Sequence, residues 1–268
     1  MDGAGWLPKT QTLGAAIREH VQWLPLDGME ALALLYTLWK GLPQEDASAE
    51  ERTFESFMPW GQIALRDFNE IDQHLLDAQN VFQNLCDIEG IEDWSFGDEA
   101  TLKAGQQAFL RQYLQLGPLY ERFTQTLVER KQGYSGLLTR QAAQAQRKLD
   151  YDRVFVAGMS ALTPAEQQFL KIYEKADCLT WAWDGDASYV QPDAIEAGLF
   201  IREQMRSRGV SPSILPNRLA HRPPQLHSVG CSSVVMECQY IRESIAQLDE
   251  AELAKTAIVW PDGSQLPL

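Results

Sequence analysis

The 268-residue sequence is 45% hydrophobic, enough for a sizeable buried core, and this excludes a disordered chain. Its 37 acidic and 23 basic residues give a formal net charge of −14, so any contact with nucleic acid must be local or be made by a partner. No apolar run approaches the ~20 residues of a membrane span and no secretory signal is evident, so we expect a cytoplasmic protein without membrane partners.

The first 150 residues are predicted to be almost wholly helical. The clearest helix starts at Trp60, from which apolar residues recur at three- and four-residue steps to Leu85, a stripe of about seven turns. Such a stripe must lie against other helices. Apolar spacing and the breaks at Pro25 and Gly117-Pro118 predict further helices at 12–24, 27–39, 102–114, 119–130 and 134–149.

A strand, a helix and a second strand follow. Arg153 to Val156 and Cys178 to Trp183 are short runs with strand composition, and Thr163-Pro164 with Glu166 is typical of a helix start. Two such strands joined by one helix form a parallel, right-handed crossover, whose ligands lie at the carboxyl ends of the strands. The positions of interest are therefore Ala157, Gly158 and Asp184 to Asp186.

The same order is predicted to recur near the end of the sequence. A helix at 193–208 and a proline-rich crossing at 211–224 precede a strand at 225–230, a helix at 234–248 and a strand at 256–260. Both ends of the sequence lie close to predicted elements. We therefore expect a fragment of a longer protein.

Two groups of acids are candidate metal ligands. Asp184 and Asp186 follow a strand and could hold a divalent cation, or their side chains could cap a turn. On the long helix, a polar stripe carries Asp67, Glu70, His74 and Asp77. A di-metal bundle site has Glu and His three residues apart, whereas these are four apart, which favours a solvated or interface face.

The sequence argues against catalysis by this chain alone. It has no GxxxxGK(S/T) loop, GxSxG elbow, HExxH or dinucleotide-binding GxGxxG motif. Its histidines (His20, His74, His221, His227) and cysteines (Cys86, Cys178, Cys231, Cys238) are scattered. We therefore assign no catalytic, cofactor-binding or metal-binding residue, and we expect no cofactor.

One locally basic region interrupts the acidic chain. Its members are Arg122, Arg130, Lys131, Tyr134, Arg140, Arg147 and Lys148. Aromatic residues lie among polar ones in the same half, namely Trp60, Trp94, Phe96, Tyr113, Tyr120 and Tyr134. Aromatics beside cations can stack on single-stranded bases, but surface charges above core aromatics are the simpler interpretation.

Three blocks carry a family resemblance: WGQIALRDFNEIDQHLLDAQNVFQNLCDIEGIEDWSF, LYERFTQTLVERKQGYSGLLTRQAA and RVFVAGMSALTPAEQQFLKIYEKADCLTWAWDGDASY. They resemble the N-terminal helicase-like part of bacterial AddB-type proteins of the PD-(D/E)XK nuclease family. The resemblance covers most of the chain from about Trp6, and the WG…DFNEID block is its most specific part.

This resemblance implies a RecA-like parallel sheet, an incomplete superfamily 1 helicase scaffold of P-loop NTPase type, with a large all-helical insertion. Residues 1–40 would begin the first RecA-like domain, 41–150 form the 1B-like insertion, 151–222 complete that domain and 223–268 begin a second. The strand from Arg153 to Gly158 would correspond to the Walker B strand, but Ala157 stands where the family has the acid that coordinates Mg²⁺. The Walker A loop and the nuclease motif would lie outside this sequence.

The implied function is a non-catalytic part of a helicase-nuclease for DNA double-strand-break repair and recombination, with DNA and an AddA-like motor subunit as partners. Two alternatives remain open. One is a metal-dependent enzyme using Asp184 and Asp186, and the other is a stand-alone helical interaction module. With a charge of −14, the isolated chain is expected to bind DNA weakly or undetectably at physiological salt.

Overall fold

The structure, a computed structural model, describes residues 8–43, 53–82, 115–145, 148–159, 161–191 and 196–259. Contacts divide the chain into two compact units, with the division between Pro216 and Asn217. The predicted helix at 102–114, together with Cys86, Trp94, Phe96, Tyr113 and Arg147, lies outside the described residues.

Helices dominate the first unit. They are α1 (Leu13–Val21), α2 (Gly28–Lys40), α3 (Phe54–Gln73), α4 (Leu116–Arg130), α5 (Ser135–Gln144), α6 (Pro164–Lys175), α7 (Ala187–Val190) and α8 (Leu199–Ser207). The strands are β1 (Leu24–Pro25), β2 (Gln132–Gly133), β3 (Val154–Ala157) and β4 (Leu179–Ala182). The helices predicted at 12–24, 27–39, 119–130 and 134–149 are confirmed, with ends that differ by up to five residues.

The largest core lies between α2, α3 and α4. Leu35, Phe68 and Phe123, one from each helix, are completely buried, as the apolar stripes predict. A second core joins α1, α5, β3 and α6, where Ala142 and Phe169 are buried. The contact between α3 and α5 links the two cores, because Gly136 of α5 lies against the backbone of α3.

The long helix predicted from Trp60 to Leu85 is instead interrupted after Gln73. Leu75 adopts a left-handed conformation with φ of 54°, and its N–H donates to the carbonyl of Asp72. The N–H of Leu76 donates to the carbonyl of Ile71, which completes a Schellman motif. Glycine normally occupies the left-handed position, so the leucine concealed this helix end in the sequence.

The predicted strand-helix-strand unit is confirmed. β3 and β4 pair in parallel, with Val154 opposite Leu179 and Ala157 opposite Ala182. Helix α6 connects them and begins with a capping box: Thr163 accepts from the N–H of Glu166, whose carboxylate accepts from the N–H of Thr163.

The RecA-like parallel sheet expected from the resemblance is wrong. The described residues contain only two parallel sheets of two strands each, β1 with β2 and β3 with β4, in a mostly helical fold. A crossover unit forms through local contacts, whereas a RecA-like sheet needs several more strands to pair beside it. Without those strands, the helical part is not an insertion into a RecA-like domain.

The second unit, as far as it is described, contains α9 (Arg218–His221), α10 (Val234–Ile245) and α11 (Glu250–Leu253). Helix α10 confirms the helix predicted at 234–248. The strand predicted at 225–230 is wrong, and residues 256–259 of the last predicted strand are also unpaired. Across both described units, no helix combines the length and apolar character required to span a membrane.

Candidate functional site

The carboxyl ends of β3 and β4 were the first place predicted for a ligand. Ala157 and Ala182 end the two strands opposite each other, and both are exposed. Gly158 follows with φ of +72°, a conformation that residues with a Cβ rarely adopt. The glycine therefore serves the turn after β3, and Ala157 offers no carboxylate for a metal.

Asp184 and Asp186 lie just beyond β4 in different surroundings. Asp186 is 7% exposed, and its Oδ1 accepts a hydrogen bond of 3.0 Å from the N–H of Ser188 as the N-cap of α7. Asp184 is exposed. Among the residues whose positions are described, no group of three His, Cys, Asp or Glu side chains could hold a metal ion. The geometry around Asp186 is that of a helix cap.

The acidic stripe of the predicted long helix is divided by the helix end. Glu70 and His74 form an exposed pair, with 3.3 Å between Oε2 and Nε2. Asp77 lies beyond the break and accepts from the N–H of Gln79. Asp67 is exposed on α3. These side chains lie on a solvated surface, one of the two interpretations favoured by the four-residue spacing of Glu70 and His74.

Among the described residues of the first unit, the remaining histidine and cysteine are not brought together. His20 is buried, with its ring edge-to-face against Phe169 at 5.2 Å between centroids. Cys178 is a buried free thiol. In the second unit, His221 and His227 are exposed and the two cysteines, Cys231 and Cys238, are free thiols.

A buried polar cluster is centred on Asp72, in the last turn of α3. The Asp72 side chain is 0% exposed. Its Oδ1 accepts a hydrogen bond of 2.7 Å from the hydroxyl of Tyr120, and its Oδ2 accepts one from the hydroxyl of Tyr134. Nε of Arg140 lies 2.7 Å from Oδ1 as an ion pair. One carboxylate therefore joins α3, α4 and α5.

Arg140 also closes the end of α3. Its Nη2 donates to the carbonyls of Ile71, at 2.8 Å, and Leu76, at 2.7 Å. These carbonyls flank the left-handed Leu75, so the guanidinium stabilises the interruption that places Asp72 in the cluster. We refer to Asp72, Tyr120, Tyr134 and Arg140 as the Asp72 cluster.

Burial dominates the protonation behaviour of the Asp72 cluster. It raises the pKa of the Asp72 carboxyl above its usual 3.8, although the two tyrosine hydroxyls and Arg140 act in the opposite direction. Burial, reinforced by the neighbouring carboxylate, also raises the pKa values of Tyr120 and Tyr134. The phenols therefore remain protonated donors to Asp72 at neutral pH.

The basic region predicted between Arg122 and Lys148 is not one surface. Arg140 is in the Asp72 cluster, and Tyr134 both donates to Asp72 and stacks on Phe123 at 5.8 Å between ring centroids. Arg122 donates to the carbonyl of Gly41. Trp60 lies in the aromatic core, 5.3 Å from Phe57 between ring centroids. Tyr120 and Tyr134 are therefore structural residues and do not form a stacking surface for bases.

A different cationic site appears where Lys148 approaches α6. A cleft of about 350 Å³ is lined by Lys148, Gln168, Lys171, Ile172, Lys175 and Ala176. All three lysines are exposed. Only Lys148 belongs to the basic region predicted from the sequence, although the four-residue spacing of Lys171 and Lys175 places both on one face of a helix.

Comparison with known proteins identifies no relative: no protein-family model, no curated protein and no solved structure matches this chain.

Proposed function

We propose that this chain is a non-catalytic helical scaffold within an AddB-type nuclease subunit that processes DNA double-strand breaks. In this role it would hold DNA ends and an AddA-like motor subunit in the longer protein. The observation that supports the proposal is the Asp72 cluster, because it is built from two of the sequence blocks on which the resemblance rests.

The contribution of each block can be stated by residue. The WG…DFNEID block supplies Asp72, and the LYERFTQ…SGLLTR block supplies Tyr120, Tyr134 and Arg140. Asp72 is 0% exposed and Tyr120 is 7% exposed, so a substrate could not reach the carboxylate without local opening. The WG…DFNEID block therefore contributes a buried residue that holds helices together. Residues of this kind support a scaffold and not a catalytic role.

The alternative of a metal-dependent enzyme gains no support from Asp184 and Asp186. One of these carboxylates is exposed and the other caps α7. Ala157, at the neighbouring strand end, adds no ligand. A scaffold requires no catalytic group at this position.

The experiment uses the complete gene in its own cells and measures survival after an agent that breaks both DNA strands. A deletion strain is expected to be sensitive. Cells with Asp72→Ala should be nearly as sensitive as the deletion strain, because the substitution removes the centre of the buried cluster. Cells with Asp184→Ala should survive like wild type. Asp184 is the matched control, since it is an exposed aspartate in the same chain.

Two results would overturn the proposal. A deletion strain as resistant as wild type would remove the link to break repair. An Asp184→Ala strain as sensitive as the deletion, with normal amounts of folded protein, would establish a chemical role for that acid and contradict a non-catalytic scaffold.

A further inference from the structure

The cleft between Lys148 and α6 concentrates positive charge on a strongly negative chain. Lys171 and Lys175 are four residues apart on α6, about 6 Å along the helix axis. Lys148 reaches the same cleft from the connection between α5 and β3. Gln168, one turn before Lys171, adds an amide that can donate hydrogen bonds.

No carboxylate forms an ion pair with these lysines among the residues that the structure describes. The ion pairs there use other cations, namely Lys9 with Glu19, His74 with Glu70, Arg140 with Asp72 and Arg208 with Glu174. Glu174 is a close sequence neighbour of Lys175, but its Oε1 accepts from Arg208 and from the indole of Trp181, at 2.8 and 3.0 Å. It is therefore engaged away from the cleft.

Structural roles account for only two of the three lysines in the cleft. Nζ of Lys148 donates to the carbonyl of Tyr151 at 3.3 Å, which uses one of its three N–H groups. Lys175 lies in the last turn of α6, where a cation offsets the helix dipole. Neither role explains Lys171 or the presence of three lysines in the lining of one cleft.

We propose that this lysine cleft binds phosphate groups, and that their source is the backbone of single-stranded nucleic acid. Lysine ammonium groups bind phosphate as mobile point charges, and exposed lysines can follow consecutive phosphates. A chain of charge −14 can contact nucleic acid only through a local cationic site, and the cleft offers one. This inference rests on the proposed function, because it supplies the DNA contact of the scaffold.

The test is a fluorescence anisotropy titration of the purified chain with a labelled single-stranded oligonucleotide over a series of salt concentrations. Three lysine contacts predict that log K falls with log salt at a slope of about −2, since each single-strand contact contributes about 0.7. The double variant Lys171→Glu/Lys175→Glu should make this slope shallower by about 1.4. Binding should be measurable at low salt and weak at physiological salt.

The matched control is Arg66→Glu/Arg130→Glu, which changes the net charge equally at two exposed positions that do not line the cleft. It should retain the wild-type slope. An equal loss in both variants would show that overall charge, and not the cleft, governs binding. Absence of wild-type binding at low salt would also overturn the proposal.

Competitors identify the source of the anion. Inorganic phosphate should compete only at much higher concentration than an oligonucleotide with the same number of phosphates. Equal competition per phosphate would identify free phosphate as the ligand, and equal competition by polyglutamate would show a site for acidic peptides. Either result would overturn assignment to nucleic acid.

The two proposals can fail separately. If the cleft variant binds the oligonucleotide like the control while Asp72→Ala cells remain sensitive to DNA breaks, only the cleft assignment fails. If deletion cells survive normally but the cleft variant loses oligonucleotide binding, the phosphate site remains and the role in break repair is lost.

Discussion

Replacing Asp72 by alanine is expected to remove a large part of the stability of the first unit. The carboxylate is fully buried, and its loss would leave Arg140 without its ion-pair partner and the hydroxyls of Tyr120 and Tyr134 without their acceptor. Removing one partner of a buried ion pair costs about 3–5 kcal/mol, against a total of about 5–15 kcal/mol for a typical domain. The hydroxyl losses belong to the same cluster and should not be added separately.

The assay is equilibrium urea unfolding followed by circular dichroism, with Glu70→Ala as the matched control on the same helix. Glu70 forms only an exposed pair with His74, so its loss should change the unfolding free energy by less than about 1 kcal/mol. A loss of unfolding free energy below about 1 kcal/mol for Asp72→Ala would refute the inference that the Asp72 cluster holds the helices together.

Three further variants test individual features of the fold by unfolding measurements. Burial raises the pKa of Asp72 above 3.8, so the stability of wild type relative to Asp72→Asn should increase as pH falls through the folded-state pKa and level off below about 3.8. A stability difference that does not change with pH would contradict the raised pKa. Gly136→Ala would place a Cβ 2.5 Å from a backbone oxygen of α3 and should cost about 1–3 kcal/mol, whereas Gly28→Ala, with open space around it, should be nearly neutral; equal effects would refute the close approach. Thr163→Ala should cost about 1 kcal/mol through loss of the capping box with Glu166, and an unchanged stability would show that the cap contributes little.

Local sequence patterns predicted the elements that form from local contacts. The apolar stripes located α2 and α4, and the Thr163 to Glu166 capping box located the start of α6. The parallel pair of β3 and β4 followed from two short runs separated by one helix. Each of these patterns lies within a few turns of the chain, so a single sequence carries the necessary information.

Long-range contacts account for the errors. The helix end at Leu75 lacks the usual glycine and depends on Arg140, which is 65 residues later in the chain. The runs at 225–230 and 256–259 have strand composition, yet a strand needs a hydrogen-bonded neighbour, and the described residues provide none. The RecA-like sheet was implied by the resemblance, and it is wrong because the described residues provide no further strands to pair beside β3 and β4.

The sequence by itself determined the helices in the described part of the first half, the crossover unit and the net charge of −14, because periodicity, caps and charge are properties of the chain. Tertiary structure alone decided which polar residues are structural and which are available. It placed Tyr134 and Arg140 in a buried cluster with Asp72, and it brought Lys148 to a cleft with Lys171 and Lys175. The physical reason is that burial and the pairing of charges depend on residues distant in the chain, which meet only when the helices pack.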